Sequence, residues 1–290
     1  MSASQLHYVL SPDREVGAEV IRILGEISSR GKFLAKGRHK PAEELIHEAR
    51  LLIKRFRALL WFERSALRTG LYIRTRTRLR QAAALLAGER DLTVTRAILE
   101  KLAQKVPRAR DKKTVEEIVN PESVNSSVAV EDDRKTRRII REAMRILHQS
   151  VKEVGRRARK NDAWPKARAR LEEAIRITKK SGKRAQRTGK DVDFHTWRKK
   201  AKRLLYVLEL TQVAPKYQLG RRIQCVAKLE RALGDYHDNV MVADRIKQGG
   251  ESNHSAAHVL RLTQKLKQHF RRKTRKLAHK LDLSLKSGRD

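Results

Sequence analysis

Residues 44–62 read ELIHEARLLIKRFRALLWF, and residues 192–210 read VDFHTWRKKAKRLLYVLEL. Laying His47 on His195 brings Arg50 onto Arg198, Lys54 onto Lys202 and Arg55 onto Arg203, all at an offset of 148 residues. A repeat at so long a spacing marks two copies of one structural unit rather than the short period of a solenoid. At about 100° per residue, the histidine, the arginine three on and the lysine seven on share a sector of roughly 60° of a helix. In the second copy Tyr206 and Glu209 prolong that sector. The apolar residues Ile46, Ala49, Ile53, Phe56 and Leu60 gather on a side about 120° away, as do Phe194, Trp197, Ala201, Leu204 and Leu208. The basic stripe therefore borders the core instead of facing away from it, where solvated charges normally lie.

Helical spacing extends outward from both copies. Ser11 and Pro12 suit an N-cap and a first-turn proline for a helix over 12–36, carrying Val16, Val20, Ile23, Leu24 and Ile27. A helix from Pro41 to about Ser65 holds the first stripe. After Gly70, Arg74, Arg76, Arg78 and Arg80 alternate, but the flanking leucines and alanines fit a helix better than a strand; on it Arg74 and Arg78 share a face. Gly88 ends that helix, and Arg90-Asp91 opens the next, with Asp91 suited to an N-cap. The stretch 107–133 holds the acidic residues Glu116, Glu117, Glu122, Glu131, Asp132 and Asp133 and reads as a long loop.

A basic helix over 134–160 closes a first unit of residues 1–163. The second unit, 164–290, contains a helix over 165–180, a linker at 181–190 and the second stripe. Beyond Pro215 comes a helix over 218–233 with Arg221, Arg222 and Lys228. Gly234 closes it, and Asp235-Tyr236-His237-Asp238 follows, matching Glu89-Arg90-Asp91 at an offset of 147. A short helix to Gln248 and a long one over 255–285 complete the chain. No strand is required, so the expected class is all-α.

The chain carries 69 Lys and Arg against 33 Asp and Glu, a formal charge of +36, with 39% hydrophobic and 4% aromatic residues. Such an excess of cations points to a polyanionic partner: nucleic acid, an anionic membrane surface or inorganic polyphosphate. Few aromatics argue against a binder that works by base stacking. The single Cys225 excludes an internal disulfide and fits a reducing compartment. With neither a leader pattern nor an apolar run of membrane-spanning length, a cytoplasmic location is expected.

His47, Arg50, Lys54, Arg55 and Arg57 resemble the first motif of the CHAD domain, a family named for conserved histidines in an α-helical domain. His195, Arg198, Lys202, Arg203, Leu204, Tyr206 and Glu209 resemble the second, and Arg90-Asp91 and His237-Asp238 resemble the family's Arg-Asp element. Leu205 stands where the second motif usually has arginine. The resemblance covers about residues 8–285. It implies two four-helix bundles related by pseudo-twofold symmetry, with basic helices lining a central groove that binds inorganic polyphosphate. The binding set it implies, with the cations of neighbouring helices, is His47, Arg50, Lys54, Arg55, Arg57, Arg74, Arg78, Arg90, His195, Arg198, Lys202, Arg203, Tyr206, Arg221, Arg222, Lys228 and His237. It also implies association with polyphosphate granules.

Competing readings were weighed on the same residues. A histidine among cations is a poor metal ligand, because neighbouring charge opposes both its basicity and the metal. His254 and His258 have the spacing of a helical metal pair but lack a third ligand beyond Glu251, so no metal and no cofactor is expected. Asp91 and Asp238 fit capping or the orientation of an arginine better than acid chemistry, and Trp61, Trp164 and Trp197 fit packing. Tyr206 either bonds a phosphate oxygen or seals the core. The expectation is a non-catalytic polyphosphate binder, with a nucleic-acid-binding basic protein as the alternative.

Overall fold

The computed structural model describes residues 6–37, 40–87, 126–157, 163–213, 219–248 and 254–286, with side chains throughout except at 126–132, 245, 248, 254–256, 258 and 282–286. Gly88, Arg90, Asp91, most of the acidic stretch, Pro215 and the side chains of His254 and His258 lie outside them. Among the described residues there are eight α-helices and no strand, so the fold is all-α. The helices are α1 (Val16–Lys36), α2 (Ala42–Phe62), α3 (Thr69–Leu85), α4 (Ser126–Gly155), α5 (Trp164–Thr188), α6 (Asp191–Leu210), α7 (Gly220–Gln248) and α8 (His254–Lys286), with a 3-10 turn at Glu63–Ser65. None of these helices is long and apolar enough to cross a membrane.

The chain divides into two compact units, one of Met1–Glu89, Asn125–Ile175 and Arg203–Gly220, the other of Arg90–Val124, Arg176–Lys202 and Arg221–Asp290. This grouping interleaves along the sequence and rests on packing, whereas a division near residue 163 rests on the repeat. The helices α5 and α6 contribute residues to both units.

In the first unit α4 packs on α1, α2 and α3, while α2 also packs on α1 and α3. Each helix supplies residues at three- and four-residue spacing: Ile23, Leu24 and Ile27 from α1, Leu52, Ile53 and Phe56 from α2, Leu79 and Ala82 from α3, Ala143 and Leu147 from α4, all buried. The N-terminal segment lays Tyr8 and Leu10 into this core, and the Leu10 amide donates to the Leu210 carbonyl at 2.9 Å. An ion pair is buried here too: Arg170 donates to Glu63 at 2.9 Å, and both side chains are at most 7% exposed. The guanidinium also lies 5.3 Å from the ring centre of Phe62.

The second unit is tied together at the start of α6. Phe194 stacks on Tyr236 of α7 with ring centres 4.4 Å apart. The Tyr236 hydroxyl donates to Asp191, which also accepts from Lys267 of α8 at 2.6 Å. Arg271 of α8 donates to the Tyr236 oxygen at 3.1 Å and to the Gly189 carbonyl.

Four boundaries differ from the sequence expectation. Helix α1 begins at Val16, because the Glu19 carboxylate accepts the Ser11 amide at 3.0 Å and holds residues 11–15 in a turn ahead of it. Helix α4 begins at Ser126, so the end of the acidic stretch expected as loop is helical; Asp133 pairs with Arg137 one turn on, at 2.7 Å. The expected linker 181–190 is mostly helix, since α5 runs to Thr188. Within it, Gly182 admits the Trp197 ring, which lies 2.7 Å from where a Cβ would stand. Gly189 is the actual stop, at φ +65°, a conformation that favours glycine. Likewise α7 runs unbroken through Gly234, so Asp238 is mid-helix rather than at a helix N-terminus. The Arg198 side chain comes within 3.8 Å of the position a Cβ would occupy at Gly234.

Candidate functional site

Two cation clusters stand out, one in each unit. In the first, Arg57 comes from α2, Arg64 from the 3-10 turn, Arg76 and Arg80 from α3, and Arg203 from α6. On α3 the residues Tyr72, Arg76 and Arg80 follow at four-residue steps and so share one face. Burial is the main influence holding the Arg203 guanidinium below its usual pKa; Tyr72 opposes it, while Arg57, Arg64 and Arg76 add to it. Arg57 is shifted the same way by its partial burial, then by Arg80 and Arg76. Arginine stays protonated under such pressure, so the shift measures how unfavourable the cation's surroundings are.

The cluster is held in place by packing. Arg64 lies 3.8 Å and Arg203 5.1 Å from the ring centre of Trp61, whose side chain is otherwise buried. Arg64 also pairs with Glu173. Among the described residues no carboxylate ion-pairs with Arg57, Arg76, Arg80 or Arg203. Arg57, Arg76 and Arg80 are open to solvent and Arg203 is half-buried, and cations gathered in this way are stabilised by a bound anion.

The second cluster contains His195, Arg198 and Lys199 of α6 and His237 of α7. The two imidazoles lie 4.5 Å apart between ring centres, at 42°. Burial, then Arg198, His195 and Lys199 push the His237 pKa down to about 4. The same kind of surroundings, burial first and then Lys199 and Arg198, lower that of His195. Both rings are therefore neutral at pH 7. The His195 Nδ1 and the Arg198 Nε are buried with no hydrogen-bond partner, although buried polar atoms are nearly always paired.

The remaining residues of the expected binding set are dispersed. His47, Arg74, Arg221 and Lys228 are exposed, and Lys54 is half-buried. The Arg50 Nη1 donates to the Leu86 carbonyl at 2.6 Å, at the C-terminal end of α3. Arg55 turns toward Tyr8, 5.6 Å from the ring centre, and toward Glu209, whose pKa burial raises against the pull of Arg55. Arg78 pairs with Glu153 of α4, and Lys202 with Glu230 of α7 at 2.9 Å. Tyr206 and Arg222 are buried, at 7% and 6% exposure. Arg90 lies outside the described residues.

Conversely, Arg64, Tyr72, Arg76, Arg80 and Lys199 join the clusters without having been singled out in the sequence. Arg76 and Arg80 have the same four-residue spacing as Arg74 and Arg78, so periodicity favours neither pair. The buried residues Leu71, Thr75 and Leu79 put one pair on each shoulder of the helix. Packing against α4 then turns Arg78 to Glu153, and the other shoulder joins the cluster. No group of three or more His, Cys, Asp or Glu suited to a metal occurs among the described residues.

The structure thus belongs to the class of all-α proteins that gather arginines at one surface, where among the described residues no carboxylate ion-pairs with Arg57, Arg76, Arg80 or Arg203. More particularly, the chain belongs to the CHAD domain family, whose profile matches residues 33–247. No curated protein matches the chain.

Proposed function

We propose that the protein binds inorganic polyphosphate without transforming it. The observation that carries this reading is the set of four arginines, Arg57, Arg76, Arg80 and Arg203, that face one another with no ion-pairing carboxylate. A linear polyanion offers one negative oxygen after another at close spacing, and each guanidinium accepts such oxygens through charge-assisted hydrogen bonds. Membership of the CHAD domain family supports the same ligand. The His195, Arg198, Lys199 and His237 cluster is a second contact set for phosphate, where the His195 Nδ1 and the Arg198 Nε are buried with no hydrogen-bond partner. Neither cluster presents a base, a nucleophile and an orienting carboxylate in the order that phosphoryl transfer or hydrolysis requires.

The decisive experiment is calorimetric titration of the full chain with polyphosphate of graded length at several salt concentrations. Affinity that climbs with chain length and falls steeply with salt is expected, because counterion release accompanies each phosphate neutralised. Orthophosphate binding as tight as long polyphosphate, or release of free phosphate during the titration, contradicts the reading. Displacement of polyphosphate by equal phosphate equivalents of duplex DNA or RNA transfers the assignment to nucleic acid.

A further inference from the structure

Every cation near the His195–His237 pair raises the question of what these two imidazoles are for. They are placed ring to ring, 4.5 Å apart, beside Arg198 and Lys199. The charged groups acting on them are Arg198 and Lys199 of α6, and the imidazole of His195 on α6 meets that of His237 on α7. No carboxylate acts on either ring. Asp191 is engaged with Lys267 and Tyr236, Asp193 with Arg184 of α5 and Thr188, and Glu230 with Lys202, while Asp235 and Asp238 flank His237 in sequence on α7. The α8 cations Lys267 and Arg271 are turned to Asp191 and Tyr236.

A neutral imidazole carries one N–H donor, and an imidazolium carries two. In the free protein, protonation is opposed by burial and by Arg198 and Lys199, so the pair presents few donors while the buried His195 Nδ1 and Arg198 Nε stay unpaired. A phosphate seated there reverses the balance, because an opposite charge within a few ångströms favours the charged form of each ring. We propose that His195 and His237 make the second cluster a proton-linked phosphate site, in which seating a phosphoryl oxygen draws protons from solvent onto the imidazoles and turns them into added donors. The inference rests on the polyphosphate reading and adds regulation to it. The arginine cluster of the first unit has no group that titrates near neutrality, so proton linkage belongs to the second cluster alone.

The test is titration of the full chain with long-chain polyphosphate between pH 5.5 and 7.5, in paired buffers of different ionisation heats, which counts protons taken up. The wild type should take up protons on binding, and its affinity should rise roughly tenfold for each unit by which pH is lowered, per proton gained. His195→Asn/His237→Asn should lose most of that uptake, while Arg57→Gln/Arg203→Gln should bind more weakly and keep it. NMR titration of the two imidazoles in the wild-type chain, with and without polyphosphate, gives a readout independent of whether the histidine variant folds. Both rings should protonate at higher pH in the bound form. Binding with no proton uptake, or imidazoles that titrate alike in both forms, overturns the inference and leaves the polyphosphate reading standing. Absence of binding at every pH removes both.

Discussion

Replacing Arg57 and Arg203 together by glutamine tests the arginine cluster most directly. Each guanidinium contributes charge-assisted hydrogen bonds to phosphate worth about 1.5–3 kcal/mol. Loss of two such contacts should weaken polyphosphate binding by about 3–6 kcal/mol, or roughly 10²- to 10⁴-fold. The slope of log affinity against log salt should become shallower by about 1.5, taking about 0.7–0.9 per phosphate neutralised on nucleic acids as a guide. Folding stability should respond quite differently. Arg203 gives up its place on Trp61, worth about 0.5–1 kcal/mol, while relief of repulsion among Arg57, Arg64, Arg76 and Arg80 acts the other way and is limited by solvent screening. The midpoint of thermal unfolding should therefore hardly move. Arg134→Gln/Arg138→Gln, which removes the same charge from exposed positions on α4, is the control. If that control weakens binding as much as the cluster variant, or both leave the salt slope unchanged, affinity comes from the overall field of the protein and the cluster argument fails.

Three further outcomes follow from the packing. Arg170→Ala removes the ion-pair partner of the buried Glu63 carboxylate and should cost about 3–5 kcal/mol in chemical denaturation, whereas Glu63→Gln/Arg170→Met should recover most of it; equal losses in both would show that the pair itself is not the cause. Gly182→Ala places a methyl 2.7 Å from Trp197, and overpacking of about 1–3 kcal/mol should exceed the helix propensity gain of about 1 kcal/mol, so a raised melting temperature would contradict the close packing of α5 on Trp197. In the absence of ligand, the His237 pKa lies below its unfolded value near 6.5. Stability should therefore be complete above that pH and decline toward about pH 4, as the unfolded chain takes up a proton that the folded chain resists. Solvent screening reduces the loss to about 1–2 kcal/mol, and His237→Asn should flatten the decline measured by urea unfolding across pH 4–7.

The helices were legible because their apolar residues recur at helical spacing, and α2, α3 and α6 end close to where the sequence puts them. The linker expected at 181–190 and the stop expected at Gly234 misled at the next level. Gly182 and Gly234 each lie inside a helix where a bulky neighbour, Trp197 or Arg198, comes close to the bare backbone. Only the partner on another helix separates a glycine that ends a helix from one that makes room, and that partner is remote in sequence. The same limit applies to the site. Periodicity puts Arg50 and Arg198 on the core's shoulder, but the choice between Arg74 with Arg78 and Arg76 with Arg80 depends on where Glu153 of α4 stands.

The aligned residues of the two stripes also divide their labour in a way that the repeat conceals. Arg50 and Arg198 occupy equivalent places, yet Arg50 binds the Leu86 carbonyl and so fixes the end of α3, the helix that carries Arg76 and Arg80. Arg198 keeps a buried Nε without a partner beside the histidine pair. Under the proposed function, the first arginine acts through the helix it secures and the second lies within the histidine cluster itself. A helix carbonyl has no partner within the last turn unless a side chain or water supplies one. A repeated arginine can therefore serve as a cap in one copy and face a ligand in the other, with no change in residue type.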